Sequence, residues 1–145
     1  MFFALGSLHA VGGFFGFVME ASGNTRTSQS GSGGVVFGLD LNDQLSLGVK
    51  TVSSYDFNTV AAQEIGAILR YYLLQNRLFA QGEAGCVLFF EYSEMFPAFY
   101  GGLTAGWRFT INRGVYLEPL ARLGYPFLWG FGLTAGISWK GKEVR

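Results

Sequence analysis

The chain has 145 residues but only one cysteine, one histidine, three prolines and 14% charged residues, where a typical soluble domain has about 25%. Each shortage removes a class of answer. The lone Cys86 can close no internal disulfide and has no metal-binding company, so neither a stapled fold nor a cysteine metal centre is expected. It stands among Ala80, Gly82, Ala84 and Leu88 as one more small apolar residue. Basic and acidic residues balance to a net charge of zero, which offers nucleic acid nothing to hold. Through most of the chain no run of about 18 apolar residues escapes interruption by Gly or a polar group, so helical membrane spans are not favoured. The length predicts a single domain over 1–145.

Hydrophobic residues make up 50% of the chain, aromatics 17%, and there are 22 glycines. Glycine is a poor residue for helix interiors, so this combination points to β-structure with a greasy exterior. The last third shows it most clearly. Leu117, Pro119, Ala121, Leu123 and Tyr125 alternate with Tyr116, Glu118, Arg122 and Gly124. After Pro126-Phe127-Leu128, Phe131, Leu133, Ala135, Ile137 and Trp139 alternate with Gly132, Thr134, Gly136, Ser138 and Lys140. A strand that is apolar on one side and small, polar or charged on the other suits a barrel whose apolar face meets lipid and whose polar face fills the lumen.

The same alternation predicts eight strands, near 10–21, 33–41, 44–55, 60–74, 78–91, 98–110, 115–125 and 129–140. Asn42-Asp43, Gln75-Asn76-Arg77 and Asn112-Arg113-Gly114 supply tight turns. Residues 22–32, rich in Ser, Gly and Thr, read as the longest loop. An even strand number lets an antiparallel sheet close with both ends on one side, and closure removes sheet edges, which lipid does not tolerate. The expected fold is therefore an all-β, eight-stranded, antiparallel, up-and-down transmembrane barrel with a polar lumen filled by side chains. The apolar start, residues 1–19, lacks the basic residues of a secretion signal. Gly12, Gly13 and Gly16 with Phe14, Phe15 and Phe17 read better as the first strand, the signal or further domains of the precursor lying upstream. A cleaved signal peptide is the rival, and it would leave seven strands.

Two constellations stand out. The inward faces carry Lys50, Glu64, Arg70, Glu83, Arg108, Glu118 and Arg122. Pairing strands about their turns sets Arg108 beside Glu118 and Glu83, Arg70 near Gln81 or Glu83, Lys50 with Glu64, and Arg122 opposite Thr134 or Gly132. Eight strands leave an interior just wide enough for side chains, and buried charges must be paired. The set therefore reads as a salt-bridge plug before it reads as a gate, a proton path or a polar ligand site. The second constellation is aromatic. Tyr71, Tyr72, Phe79, Trp107, Phe109, Tyr116 and Trp139 should gather at the periplasmic rim. Tyr55, Phe57, Phe89, Phe90, Tyr92, Phe96, Phe99, Tyr100, Tyr125, Phe127, Trp129 and Phe131 should gather at the external rim, as interfacial rings do. Catalysis finds little support. His9 has Ser7 two residues away on the same face, but no acid accompanies them, and no catalytic, metal or cofactor site is expected.

Gly38 to Lys50, Arg70-Tyr71-Tyr72, Gly101 to Phe109 and above all the Tyr116-Leu-Glu-Pro to Tyr-Pro-Phe127 stretch resemble small outer-membrane barrel domains of Treponema-type spirochaetes. More broadly the chain is similar to the eight-stranded superfamily that includes OmpA, OmpX and OmpW-like proteins. The resemblance implies an outer-membrane location and no catalytic residues to transfer; its OmpW-like branch implies passage of small hydrophobic molecules. It departs from the usual pattern in that six residues follow Trp139. The expected partners are outer-membrane lipid and the barrel-assembly machinery, with the barrel itself monomeric. The outer half of the lumen, lined by Gly102, Thr104, Gly124 and Gly132, would have room for a small molecule. The main alternative is a soluble, lipocalin-like ligand-binding barrel, but a soluble exterior needs roughly a quarter to a third charged residues. A lipid-modifying enzyme built on His9 is the remaining one.

Overall fold

The computed structural model describes residues 12–24, 29–55, 61–74, 77–91 and 93–140; Ser7 and His9 lie outside them. All of the regular structure is β-strand: β1 (Gly12–Asn24), β2 (Ser30–Asp40), β3 (Leu45–Tyr55), β4 (Ala61–Leu73), β5 (Leu78–Glu91), β6 (Glu94–Trp107), β7 (Phe109–Asn112), β8 (Val115–Tyr125) and β9 (Phe127–Lys140). Every pairing is antiparallel between neighbours, β1 also pairs β9, and β6 and β7 both pair β8. The nine segments thus make eight staves, with β6 and β7 two parts of one. That stave, expected as an unbroken strand over 98–110, is interrupted at Arg108, whose amide donates to the Arg77 carbonyl in the β4–β5 turn. Below that point β5 has ended, and β7 pairs only β8.

The sheet closes with a fixed stagger. From Phe15 the ladder runs one way through Phe37, Val49, Ala67, Ala84 and Gly101 to Tyr125. The other way it runs through Ile137 to Val115. The two paths meet β8 ten residues apart, from 115 to 125. Such a stagger forces the usual tilt of about 35–45° from the barrel axis. Gly12 and Lys140 lie on one rim, the terminal end; the opposite rim is the distal end.

Several strands run further than their apolar alternation. β1 and β2 continue in register to Ser22 opposite Ser30, so much of the described part of the polar stretch read as the longest loop is ladder. Ser and Gly need no lipid there; they need only a backbone partner, and each strand gives the other one. The loop expected around Pro97 is likewise hairpin ladder, with Glu91 opposite Glu94 and Pro97 opposite Leu88. Gly114 turns the chain into β8 with φ +94°, a backbone state costly for any residue with a Cβ.

Inside and outside follow the alternation. Phe17, Val49, Ile65, Phe99, Leu103, Leu123, Phe131 and Ile137 all point outward and are more than half exposed. Among the described residues the charges outside the lumen sit toward the rims: Asp43, Arg77, Arg113 and Lys140 at the terminal end and Glu94 at the distal end. Tyr71, Trp107, Tyr125, Trp129 and Trp139 join this outer surface near its two edges. Tyr116 does not. It is fully buried in the lumen, because it shares the parity of Glu118, and parity overrides a ring's preference for the interface. Tyr72, Phe79, Phe89 and Tyr100, also expected in the girdles, are inside for the same reason. Phe127 shares the outward parity of Phe131 but is buried, because the β1–β9 register shifts at Gly23/Asn24.

This exterior leads to a direct expectation. Val49 faces outward near the middle of β3 and is 57% exposed. Val49→Arg should cost roughly 2–4 kcal/mol of folding into lipid vesicles, as for charge near the bilayer midplane. Equilibrium urea titration measures it, and an unchanged midpoint would contradict a lipid-facing β3.

Candidate functional site: the lumenal charge network

The alternation that turns Val49 outward turns Lys50 inward, and the same holds on β1, β4, β5 and β8. Four carboxylates (Glu20, Glu64, Glu83, Glu118) and four cations (Lys50, Arg70, Arg108, Arg122) meet in the lumen. They form two clusters. Toward the distal end, Lys50 Nζ lies 2.6 Å from Glu20 Oε1 and 3.4 Å from Glu83 Oε2. Arg122 reaches Glu20 Oε2 at 3.1 Å and Glu64 Oε2 at 2.9 Å. Glu83 also accepts bonds from Thr104 Oγ1 and Gln81 Nε2, each at 2.7 Å. Toward the terminal end, Glu118 takes Arg70 Nη1 at 3.0 Å and Arg108 Nε at 2.5 Å. Gln81 joins the two: its amide donates to Glu83 while its carbonyl accepts Arg70 Nε at 2.7 Å.

Aromatic rings finish the job that carboxylates leave. The Arg70 guanidinium carbon lies 4.0 Å from the Phe79 ring centre and 4.5 Å from that of Phe14. Arg108 lies 4.2 Å from the centre of Tyr116, and Arg122 4.9 Å from that of Phe127. Such stacking stabilises a guanidinium held away from water. Inward glycines make space for the rings. A Cβ at Gly66 or Gly85 would run into Tyr100, and one at Gly136 would come within 2.7 Å of the Tyr116 hydroxyl. The inward Gly66, Gly85, Gly106 and Gly136 thus accommodate aromatic rings.

All seven charges singled out from the sequence reach the lumen, but they meet differently. Arg108 with Glu118 and Arg70 with Gln81 are neighbours as their turns imply. Lys50 lies opposite Gly66, not Glu64, and its ion pairs are to Glu20 and Glu83. Glu83 lies opposite Gly102, not Arg108, because the β5–β6 hairpin turns earlier than its polar residues suggest. Arg122 lies opposite Gly130, not Gly132 or Thr134, because the chain reverses at Pro126. Sequence reasoning missed Glu20, which lies within the expected first strand but was not counted among the inward charges. The signal was present: Phe14, Gly16, Val18, Glu20 and Ser22 share one parity.

The distal lumen is not the small-residue chamber that Gly102, Thr104, Gly124 and Gly132 imply. Ala62, Val87, Phe89, Tyr100 and Phe127 cluster there, with Phe96 and Ala98 against them. Thr104 is buried against Glu83, and Gly132 sits against the Glu20 side chain. The whole arrangement, charges in and apolar residues out, is the reverse of a soluble lipocalin-type barrel. Among the described residues no cluster of His, Cys, Asp and Glu could hold a metal ion.

No family model matches the chain, and no curated protein matches its sequence. Solved structures do match its shape. Neisserial surface protein A aligns over 90% of this chain and 96% of its own with a TM-score of 0.64 and 15% identity. The N-terminal β-barrel domain of Pseudomonas aeruginosa OprF aligns over 90% and 98% with a TM-score of 0.63 and 12% identity. Ail, the attachment invasion locus protein of Yersinia pestis, aligns over 90% and 99% with a TM-score of 0.54 and 10% identity. At these identities the likeness is one of fold: a closed, eight-stranded, antiparallel transmembrane barrel.

Among the described residues Glu118 is the sole carboxylate paired with Arg70 and Arg108. Glu118→Leu should therefore destabilise the barrel by about 3–5 kcal/mol, the usual result of stranding buried charge. Double-mutant cycles on folding free energy should show strong coupling between Arg108 and Glu118 and weaker coupling between Arg108 and Glu83, which are linked only through Glu118, Arg70 and Gln81. Stronger coupling in the second pair would contradict the observed register.

Proposed function

We propose that this chain is a non-catalytic integral barrel of the outer membrane, its lumen plugged by its own side chains, with a structural or surface-interaction role. The observation that carries this reading is the balanced set of eight lumenal charges inside a wall whose outer face is apolar. Such an exterior belongs in lipid. A lumen crossed by ion pairs and rings has no continuous water path. The partners are then outer-membrane lipid and the assembly machinery, with a single copy sufficient for a closed sheet. Two of the similar structures are named for the cell surface and for attachment, which supports the surface role. The resemblance of residues 116–127 to Treponema-type barrels supports a spirochaetal relationship. Passage of small hydrophobic solutes is the weaker reading, since the aromatic cluster fills the distal lumen.

Planar-bilayer recording tests the plug. The unmodified protein should show no steady conductance, and the Arg108→Ala/Glu118→Ala double variant should show a rise as both side chains leave the lumen. Large, stable unitary steps from the unmodified protein would favour a pore and overturn the proposal.

A further inference from the structure

The two ends of the lumen differ. Toward the distal end it is filled by Val87, Phe89, Tyr100 and Phe127. At the terminal end it opens as a vestibule of about 1130 Å³. Arg77, Arg108, Arg113 and Lys140 line this space, against Asp40 and Asp43. Four cations stand against two carboxylates, so the lining carries a net positive charge, and Asp40 also accepts the Ser46 hydroxyl at 2.5 Å. A concave, low-dielectric wall of one sign focuses its field into the opening.

The imbalance continues inward. The network is neutral as a whole but not locally. Its distal cluster has three carboxylates for two cations, and its terminal cluster has two guanidinium groups on the single carboxylate Glu118. Arg108 spends its Nε on Glu118, while its Nη2 is buried with no hydrogen-bond partner. A buried donor without a hydrogen bond is uncommon in folded proteins, and stacking on the Tyr116 ring does not replace one. Arg108 also lines the vestibule, so the surplus charge inside and the positive lining outside meet at this residue.

We propose that the terminal vestibule binds an anionic group, a carboxylate or a phosphate, with Arg108 as its anchor and Arg77, Arg113 and Lys140 as the surrounding field. The vestibule is far larger than a bare oxyanion, so the group is carried on a small organic molecule. A planar guanidinium with a spare donor edge suits an oxyanion through charge-assisted hydrogen bonds. The ligand enters from the terminal side, because the aromatic cluster occupies the other. The site does not depend on whether the barrel conducts, so failure of the plug and failure of this site are separate results.

The test uses the full chain, isotope-labelled and refolded in zwitterionic detergent micelles, in phosphate-free buffer with sodium chloride holding the ionic strength constant. Inorganic phosphate and acetate are titrated separately and followed by amide shifts. Saturable shifts centred on Arg108, Arg113 and Lys140 are expected for at least one probe, and the probe that saturates names the anion class. Arg108→Gln should weaken binding about tenfold or more, the loss of one charge-assisted contact. If that variant does not refold, Arg113→Gln/Lys140→Gln, which alters only exposed rim residues, should weaken it several-fold. Linear shifts for both probes, shifts that sodium chloride alone reproduces, or undiminished binding in the variant tested would overturn the site.

Discussion

Lipid gives a backbone amide nothing to bond to, so a sheet that crosses it must have no free edge. Here that demand is met by eight staves and a ten-residue stagger between the two paths that return to β8. The other features follow from the narrowness of such a tube. Its interior admits side chains but little water, so every charge turned inward must find an opposite charge or a ring. Glu118, Glu20 and Arg122 each bond two or more partners for that reason. The inward glycines have the same origin, since Tyr100 and Tyr116 fit only where the facing stave carries no Cβ.

The network is also what ties opposite walls together. Neighbouring staves are held by the ladder, but nothing in a ladder spans the lumen. Arg122 on β8 reaches Glu20 on β1 and Glu64 on β4, and Arg70 on β4 reaches Glu118 on β8. These contacts brace the tube across its width. Gln81, bonded at both ends of its amide, makes the two clusters one system. Because neither cluster is neutral by itself, the arrangement works as a whole and tolerates removal of a member poorly.

Polarity along the axis is the second consequence. Rings and aliphatic side chains fill the distal lumen, while the terminal lumen ends in an open, positively lined vestibule. A solute therefore meets two different surfaces from the two sides. The break at Arg108 contributes to this difference: where β5 stops, β7 continues along β8 alone and shapes the rim of the vestibule.

The sequence by itself determined which way nearly every strand side chain faces, Phe127 and Leu128 beyond the β1–β9 register shift being the exceptions. Period-two alternation set Lys50, Glu64, Arg70, Glu83, Arg108, Glu118 and Arg122 inward and Val49, Leu103 and Ile137 outward, and read consistently it would have added Glu20 and removed Tyr116 from the girdle. Across the β4–β5 and β7–β8 turns the sequence also determined the partners, Arg70 with Gln81 and Arg108 with Glu118; elsewhere only the tertiary structure decided which residues meet. The differences between expected and observed cross-strand partners are all even: Gly66 for Glu64 opposite Lys50, Gly130 for Gly132 opposite Arg122, Gly102 for Arg108 opposite Glu83. The reason is that a two-residue slip leaves every face as it was, so the pattern carries no record of it. Register depends instead on where each hairpin reverses and on the stagger that closes the ring. Contacts across the lumen, such as Arg122 with Glu20, depend on both and on side-chain length as well.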